Sequence, residues 1–497
     1  MPFVSKMRGV RWAPAAMGDN RYALREIVKL DETDAQAAVP TTLSALAQIM
    51  WDEGLPQTGA KTAKEEAISL LQIAAEVEHA LLVQYLYSAY SLNPNVQQAA
   101  DAQLKIIEVA KQEMAHLITV QNILLALGTK VDLNRENFPK DPKDYPFPVV
   151  LEPLSSDALA KYVTTESPTI DKVAPGDRND VIAIAQQADQ AVSGTASKVN
   201  HVGVIYAKIY WLFQQGDAPE GPWVLDADVI ECFVRSFGAG FHLKDGDFAD
   251  PTTVNNFAAT PTEWGVSDTT MHVDSGTPRS KALAAIAWIT AQGEGPNQSD
   301  IVESHFQTFL SLYRTFKAGL PNNAVLDIPI NPSTDSNGTG APSANSITDP
   351  ITLRWAQVLN LRYQILLLDV VVGLGIDRSK EALLRGKIMH SWAVQTEMSG
   401  FLSTIAIALT GKKRTTVGTT SPVFAGAPFE LDEIPDSPCE QWRKQKELAV
   451  KCAAIAGDLK SLLNAGDPDR DFLDSIVSFD QTRQSVIDQK IGELCHL

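Results

Sequence analysis

Apolar positions along this chain recur mostly at helical spacing. Residues 62–92 give the first long pattern, with Leu70, Leu71, Ala74, Val77, Leu81, Leu82, Tyr85 and Ala89 repeating at the helical period. Asn93-Pro94 stops it. A second strong pattern covers 97–127 and ends at Gly128, the position of a C-terminal cap. Two long helices joined by so short a turn should pack antiparallel.

The same period predicts helices over 35–50, 155–165, 180–215, 279–292, 300–318, 350–376, 379–410, 440–465 and 471–494. The stretches 129–152, 216–275 and 412–438 read as loops. Residues 321–349, dense in Asn, Ser, Thr, Gly and Pro, read as a surface loop or linker. Alternating β-branched runs are scarce, so little sheet is expected. The reading is an all-α protein in four parts: an N-terminal extension (1–60), a helical bundle (61–320), a linker (321–349) and a C-terminal helical region (350–497) packed on the bundle.

Composition narrows the partners. The 497 residues include 42 Lys plus Arg against 60 Asp plus Glu, a formal net charge of -18. Nucleic acid and anionic membranes both require a basic footprint, so neither is expected as a partner. A small-molecule substrate stays open, as do a partner oxidase and an oligomer. Cys232, Cys439, Cys452 and Cys495 are widely spaced and form no CxxC pair. Neither a disulfide framework nor a zinc–thiolate site is expected, and a reducing, cytoplasmic setting fits. No signal peptide is evident near Met1, and no apolar stretch is read as reaching the length of a membrane span.

The chemistry concentrates on the two long helices. Glu78 lies in the middle of the apolar first helix, where a carboxylate is costly to bury unless it is paired or bound to metal. The second helix carries Glu113-Met114-Ala115-His116, and residues at i and i+3 project together. A Glu on one helix and Glu-x-x-His on the next is the ligand pattern of di-iron carboxylate bundles. Alone, Glu-x-x-His also describes an ordinary exposed pair. A second half-site is expected at Glu294, in Gln292-Gly293-Glu294-Gly295, and at His305, in Ser304-His305-Phe306. The glycines permit the bend that would bring these two together.

The runs EVEHALLVQYLYSAYSL, KQEMAHL, TAQGEG and SHFQTF resemble the ferritin-like domain of the iminophenyl-pyruvate dimer synthase family, which includes the chromopyrrolate-type synthases of violacein and rebeccamycin biosynthesis. NILLALG, Phe138-Pro139, TTESP around Glu166, NLRYQILLLDVV and AGAPFE extend the likeness over roughly residues 60–435. The resemblance implies a ferritin-like four-helix bundle with an additional C-terminal helical layer and long loops. It implies a metal-capable centre and, in some members, oxidative coupling of two amino-acid-derived imines. The positions that match the family's motifs are Glu78, Glu113, His116, Glu294 and His305. One departs: where the resemblance expects a Glu in the third helix, this chain reads His201-Val202-Gly203-Val204-Ile205-Tyr206. Val204 cannot bind metal, which leaves His201 or Glu166 as replacements. Tyr85 and Gln84 are expected beside the centre as catalytic or pocket residues.

The expectation is therefore an iron-dependent oxidoreductase holding one or two ions, with other divalent metals admitted, that acts on a small amino-acid-derived substrate in natural-product biosynthesis. The alternatives are a metal-binding or storage bundle, and a bundle that has lost its metal. Farther along, His390 and Glu397 stand seven apart on an expected helix and read as a polar pair at the bundle boundary.

Overall fold

The strongest sequence pattern forms the longest helices. In a computed structural model, the description covers residues 5, 10–13, 44–52, 54–139, 149–192, 202–266, 277–293, 304–334, 345–415 and 422–495. Strand β1 (Arg11–Ala13) pairs antiparallel with β2 (Leu55–Gln57), and α1 (Ala45–Asp52) lies between them in sequence. Helix α2 (Ala63–Tyr90) begins at a capping box, in which the Thr62 hydroxyl accepts from the Glu65 amide and the Glu65 carboxylate accepts from the Thr62 amide. It is buried on nearly every side, the signature of a helix at the centre of a fold. Helix α3 (Gln97–Ala126) packs along it as its principal partner.

The other two sides of the bundle are built from shorter pieces. They are α4 (Ser156–Thr165), α5 (Arg178–Ala191) and α6 (Gly203–Phe213), then α7 (Ala227–Phe237), α8 (Pro251–Phe257), α9 (Pro261–Trp264), α10 (Pro278–Gln292) and α11 (His305–Lys317). Helix α4 packs on α11, and α6 packs on α10. The expected single helix over 180–215 is thus two: α5 buries only one edge, whereas α6 is buried along its whole length. The expected loop over 216–275 contains α7, α8 and α9. The last two begin with Pro251 and Pro261 just after the capping side chains of Asp250 and Thr260. These are helix-start signals in stretches too short for periodicity to show.

The segment read as a linker is fastened to the bundle where it is described. Leu326 donates its amide to the Ser91 carbonyl, Asn331 donates to Leu151, and Ala324 and Ile328 are buried. Helix α12 (Pro350–Leu374) then opens the C-terminal layer. It is long and apolar enough to cross a membrane, contrary to the expectation, but 89% of its most apolar window is buried within the protein. With Arg362 and Asp369 also fully buried along it, it is a core helix. Next come α13 (Arg378–Gly386), a π-helical stretch (Lys387–Leu402) and α14 (Ser403–Leu409), where one α-helix was expected. The i→i+5 bonding of a π-helix widens each turn, so residues seven apart leave their common face. His390 packs against Gly265, while Glu397 is buried against Arg362.

Helices α15 (Pro438–Leu462) and α16 (Pro468–Leu494) close the layer as an antiparallel pair on α12. This pairing overturns the expectation about cysteines. The start of α15 lies beside the end of α16, and Cys439 and Cys495, 56 residues apart, form a disulfide. Cys232 and Cys452 are free and buried.

Candidate metal centre

The two unbroken helices and the ends of the broken ones meet at one point inside the bundle. Glu78 comes from the middle of α2, and Glu113 and His116 from one turn of α3. Glu166 caps the C-terminus of α4, and His305 is the first residue of α11, where a capping box between Ser304 and Gln307 fixes the helix start. All five side chains are fully buried. They form two triads, Glu78–Glu113–His116 and Glu113–Glu166–His305, each with its ligand-capable atoms within 4.8 Å of one another.

Glu113 belongs to both triads. Its Oε2 lies 3.2 Å from His116 Nδ1, and its Oε1 lies 2.9 Å from His305 Nδ1. Glu78 Oε2 is 3.6 Å from His116 Nδ1, and Glu166 Oε2 is 3.5 Å from His305 Nδ1. The two halves are therefore near-copies about Glu113. Each outer carboxylate accepts a hydrogen bond from a tyrosine: Tyr206 of α6 donates to Glu78 Oε1, and Tyr85 of α2 donates to Glu166 Oε1. Each imidazole is held by a glutamine. His116 Nε2 donates to Gln292 Oε1 at 3.1 Å, and His305 Nε2 donates to Gln112 Oε1 at 2.9 Å. A carboxamide oxygen can only accept, so both rings carry a proton on Nε2 and turn Nδ1 inward. This is the supporting contact that metal-bound histidines ordinarily have.

The electrostatics are compatible with a bound cation. Burial, together with the neighbouring Glu113 charge, pushes the Glu78 carboxyl up to about 8. Burial and Glu113 likewise raise Glu166. Burial works against charge on His305, but Glu113 and Glu166 outweigh it and bring the imidazole up to about 9. The same balance, through Glu113 and Glu78, raises His116. Burial opposes ionisation of Glu113 too, yet His305 and His116 hold its carboxyl well below the ordinary range.

The donor set fits a metal on two further observations. Glu78 Oε2, Glu113 Oε1 and His305 Nδ1 are buried without a hydrogen-bond partner among the described residues, because the close oxygen–nitrogen approaches are misaligned for one. Such atoms are costly unless something else satisfies them. Gly293, at the end of α10, also faces the cluster. A Cβ there would stand 3.3 Å from His305 Nδ1, 3.4 Å from His116 Cε1 and 3.5 Å from Glu166 Oε2. The Gln292-Gly293 pair is thus explained by close approach to the centre, with Gln292 binding His116 and Gly293 leaving space beside both rings.

A pH dependence follows. At neutral pH the metal-free centre keeps protons on Glu78 and His305, and a bound cation must displace them. Raising the pH through about 8 and about 9 removes that competition. Metal affinity is expected to rise steadily from about pH 6.5 to 9, with proton release on binding, as read by calorimetry in buffers of different ionisation enthalpy. An affinity that stays flat over this range would mean that these groups do not bind the metal.

Of the residues singled out from sequence, Glu78, Glu113, His116, Glu166 and His305 come together here. Glu294 and His201 lie outside the described residues. Val204 is buried in α6, and Glu166 is the third carboxylate of the two triads. Tyr85 reaches the centre through Glu166. Gln84 is turned to another use, donating to the Val150 carbonyl at 3.0 Å and fastening that segment to α2. Sequence reasoning missed Tyr206, Gln112 and Gln292 as supports. The only signals were that Gln112 directly precedes Glu113 and that Gln292 opens the glycine pair.

A family model described as ferritin-like matches residues 71–229, which include Glu78, Glu113, His116 and Glu166. A solved ferritin-like protein from Caulobacter vibrioides is similar at 14% identity and a TM-score of 0.30, over 69% of this chain and 94% of that one. No curated protein sequence matches. The fold is all-α and ferritin-like, with acidic and histidine groups placed so that they could hold metal.

Proposed function

We propose that this protein is a non-haem, two-iron oxidoreductase acting on a small amino-acid-derived molecule, of the iminophenyl-pyruvate dimer synthase type that its motifs resemble. The observation that carries the reading is the pair of histidine–carboxylate triads sharing Glu113. Hard oxygen donors with two imidazoles suit iron among the common divalent metals.

Glu78 with His116 would hold one ion, Glu166 with His305 the other, and Glu113 both. Bound iron would supply the one-electron and oxygen chemistry. The chain's own part is positioning. Tyr206 and Tyr85 each donate to the outer oxygen of a carboxylate, which fixes how the inner oxygen is presented. Gln292 and Gln112 fix the ring orientations. Tyr162 and Phe309, with ring centroids each 4.8 Å from that of Tyr85, keep that side of the centre apolar and exclude water. The Tyr162 phenol is pushed up by burial, so it stays protonated as a donor beside Ser88.

A working centre is favoured over a bundle that has lost its metal by the inward atoms left without a partner among the described residues, Glu78 Oε2, Glu113 Oε1 and His305 Nδ1, which a bound ion would satisfy. The test is oxygen uptake by iron-loaded protein supplied with aromatic 2-imino acids generated in place by an amino-acid oxidase. Uptake above that of the oxidase alone, absent in a Glu113→Ala, His116→Ala variant, is the expected result. Iron binding without any such uptake would point to storage, and failure to bind iron under every loading condition would sink both.

A further inference from the structure

A second chamber lies on the other side of α2 and α3, where the C-terminal layer covers them. It is a cavity of about 310 Å³. That volume lies within the range of small-molecule sites. Leu82, Ile107, Met114, Leu366 and Met398 give it apolar walls, and it shares no residue with the two triads. His79, the residue after Glu78, faces this chamber, and so does Met114, the residue after Glu113. One wall, with Met398 and Ser399, belongs to the π-helical stretch. π-Helical geometry is rare and concentrates at functional sites.

His79 and Tyr363 line the polar end of the chamber, and a buried relay runs behind them to Arg135, which does not itself line it. Arg135 donates to the Tyr363 phenol oxygen from Nε at 3.3 Å and from Nη2 at 3.2 Å. With that oxygen occupied as an acceptor, the phenol proton goes to His79 Nε2. Arg135 is 1% exposed, and its other bonds go to the carbonyls of Glu136 and Phe429. Among the described residues no carboxylate lies within ion-pair distance of it. A buried guanidinium with only neutral partners is a charge without compensation, which is costly. Lys111 adds a second cation at the rim, with its side chain 61% exposed and, among the described residues, tied only to the similarly exposed Glu108. Such a surface pair is weak and is easily exchanged for another anion.

We propose that this chamber is a binding site for a small apolar monocarboxylate, with its hydrocarbon body between α2, α3 and α12 and its carboxylate drawn to the end lined by His79 and Tyr363, where Arg135 stands behind the phenol, with Lys111 as a second cation at the rim. The site stands apart from the metal reading and needs no metal. The anionic group would sit in the field of Arg135, which has no carboxylate partner among the described residues, while the walls accept a body of either rings or methylenes.

The experiment is calorimetric titration of the full chain with 1-naphthylacetate and with its neutral isostere 1-naphthylacetamide. The acid is expected to bind at least ~10-fold more tightly than the amide, a difference of one decade in Kd. Leu86→Trp fills the cavity from a half-buried position and should abolish binding of both without changing metal content. Lys111→Gln, an exposed change, should weaken the acid and leave the amide alone, and Arg135→Gln should remove the remaining preference. Equal binding of acid and amide to the native chain, or unchanged binding to Leu86→Trp, would overturn the proposal. Because metal content is read separately, failure here leaves the two-iron reading standing, and the reverse also holds.

Discussion

Replacing Glu113 with Ala is expected to empty both halves of the centre at once. Plasma mass spectrometry on iron-supplemented protein should fall from about two metals per chain to none, because every other ligand belongs to one half only. Glu78→Ala should remove one metal and spare the other, and Glu166→Ala should do the converse. The fold should survive the Glu113 change. Its charge supports the protons on His116 and His305 together with Glu78 and Glu166. Without it each imidazole keeps its outer carboxyl as partner, Glu78 for His116 and Glu166 for His305, so no buried charge is left unpaired. Tyr206→Phe and Tyr85→Phe remove supports rather than ligands, so affinity at one half should drop by roughly 10-fold to 100-fold while the other half is unchanged. If Glu113→Ala retained one full metal per chain, the shared role of that carboxylate would be wrong.

How much of this was legible in the sequence depends on whether the signal is local. The α2 and α3 patterns are long enough for periodicity to fix their extent within a residue or two, and the cost of burying Glu78 in an apolar helix pointed inward unaided. Glu113 and His116 followed from i, i+3 geometry. Glu166 was named only as one of two replacements for the missing third-helix carboxylate: a carboxylate at a helix end before Pro168 looks like any other, and only the packing of α4 against α11 places it beside His305. Gly293 was read as a hinge, whereas the structure shows a close approach to two imidazoles. The disulfide and the π-helical stretch were invisible for a related reason. Cys439 and Cys495 meet only because two long helices run antiparallel, and a π-helix keeps a helix-like composition while changing which residues share a face.

That altered face has an energetic counterpart in the C-terminal layer, and the largest stability effect is expected there. Arg362 donates from Nε to Glu397 Oε2 at 2.9 Å, with Nη2 on Oε1, and from Nη1 to both oxygens of Asp480 at 2.9 and 2.8 Å. Arg483 lies 2.9 Å from Asp369 and 3.5 Å from Glu397. Two guanidiniums thus face three carboxylates inside the protein. Burial, against the pull of Arg483 and with the push of Glu397, brings Asp369 up to about 7, so the cluster keeps part of a proton near neutrality. Arg362→Met removes the cation that ties α12 to both the π-helical stretch and α16, and it leaves Glu397 and Asp480 with only the longer ion pairs to Arg483, at 3.5 and 3.4 Å. Breaking a buried pair from one side costs about 3–5 kcal/mol, most of it the stranded charge. The sign with pH follows. Burial raises the folded value of the stranded Glu397 carboxyl, so its penalty is present at neutral pH and shrinks as the pH falls and it takes up a proton. Denaturant unfolding should therefore show a loss of about 3–5 kcal/mol at neutral pH that narrows at mildly acidic pH, and a loss below about 1 kcal/mol at neutral pH would mean that desolvation already cancels the network's gain.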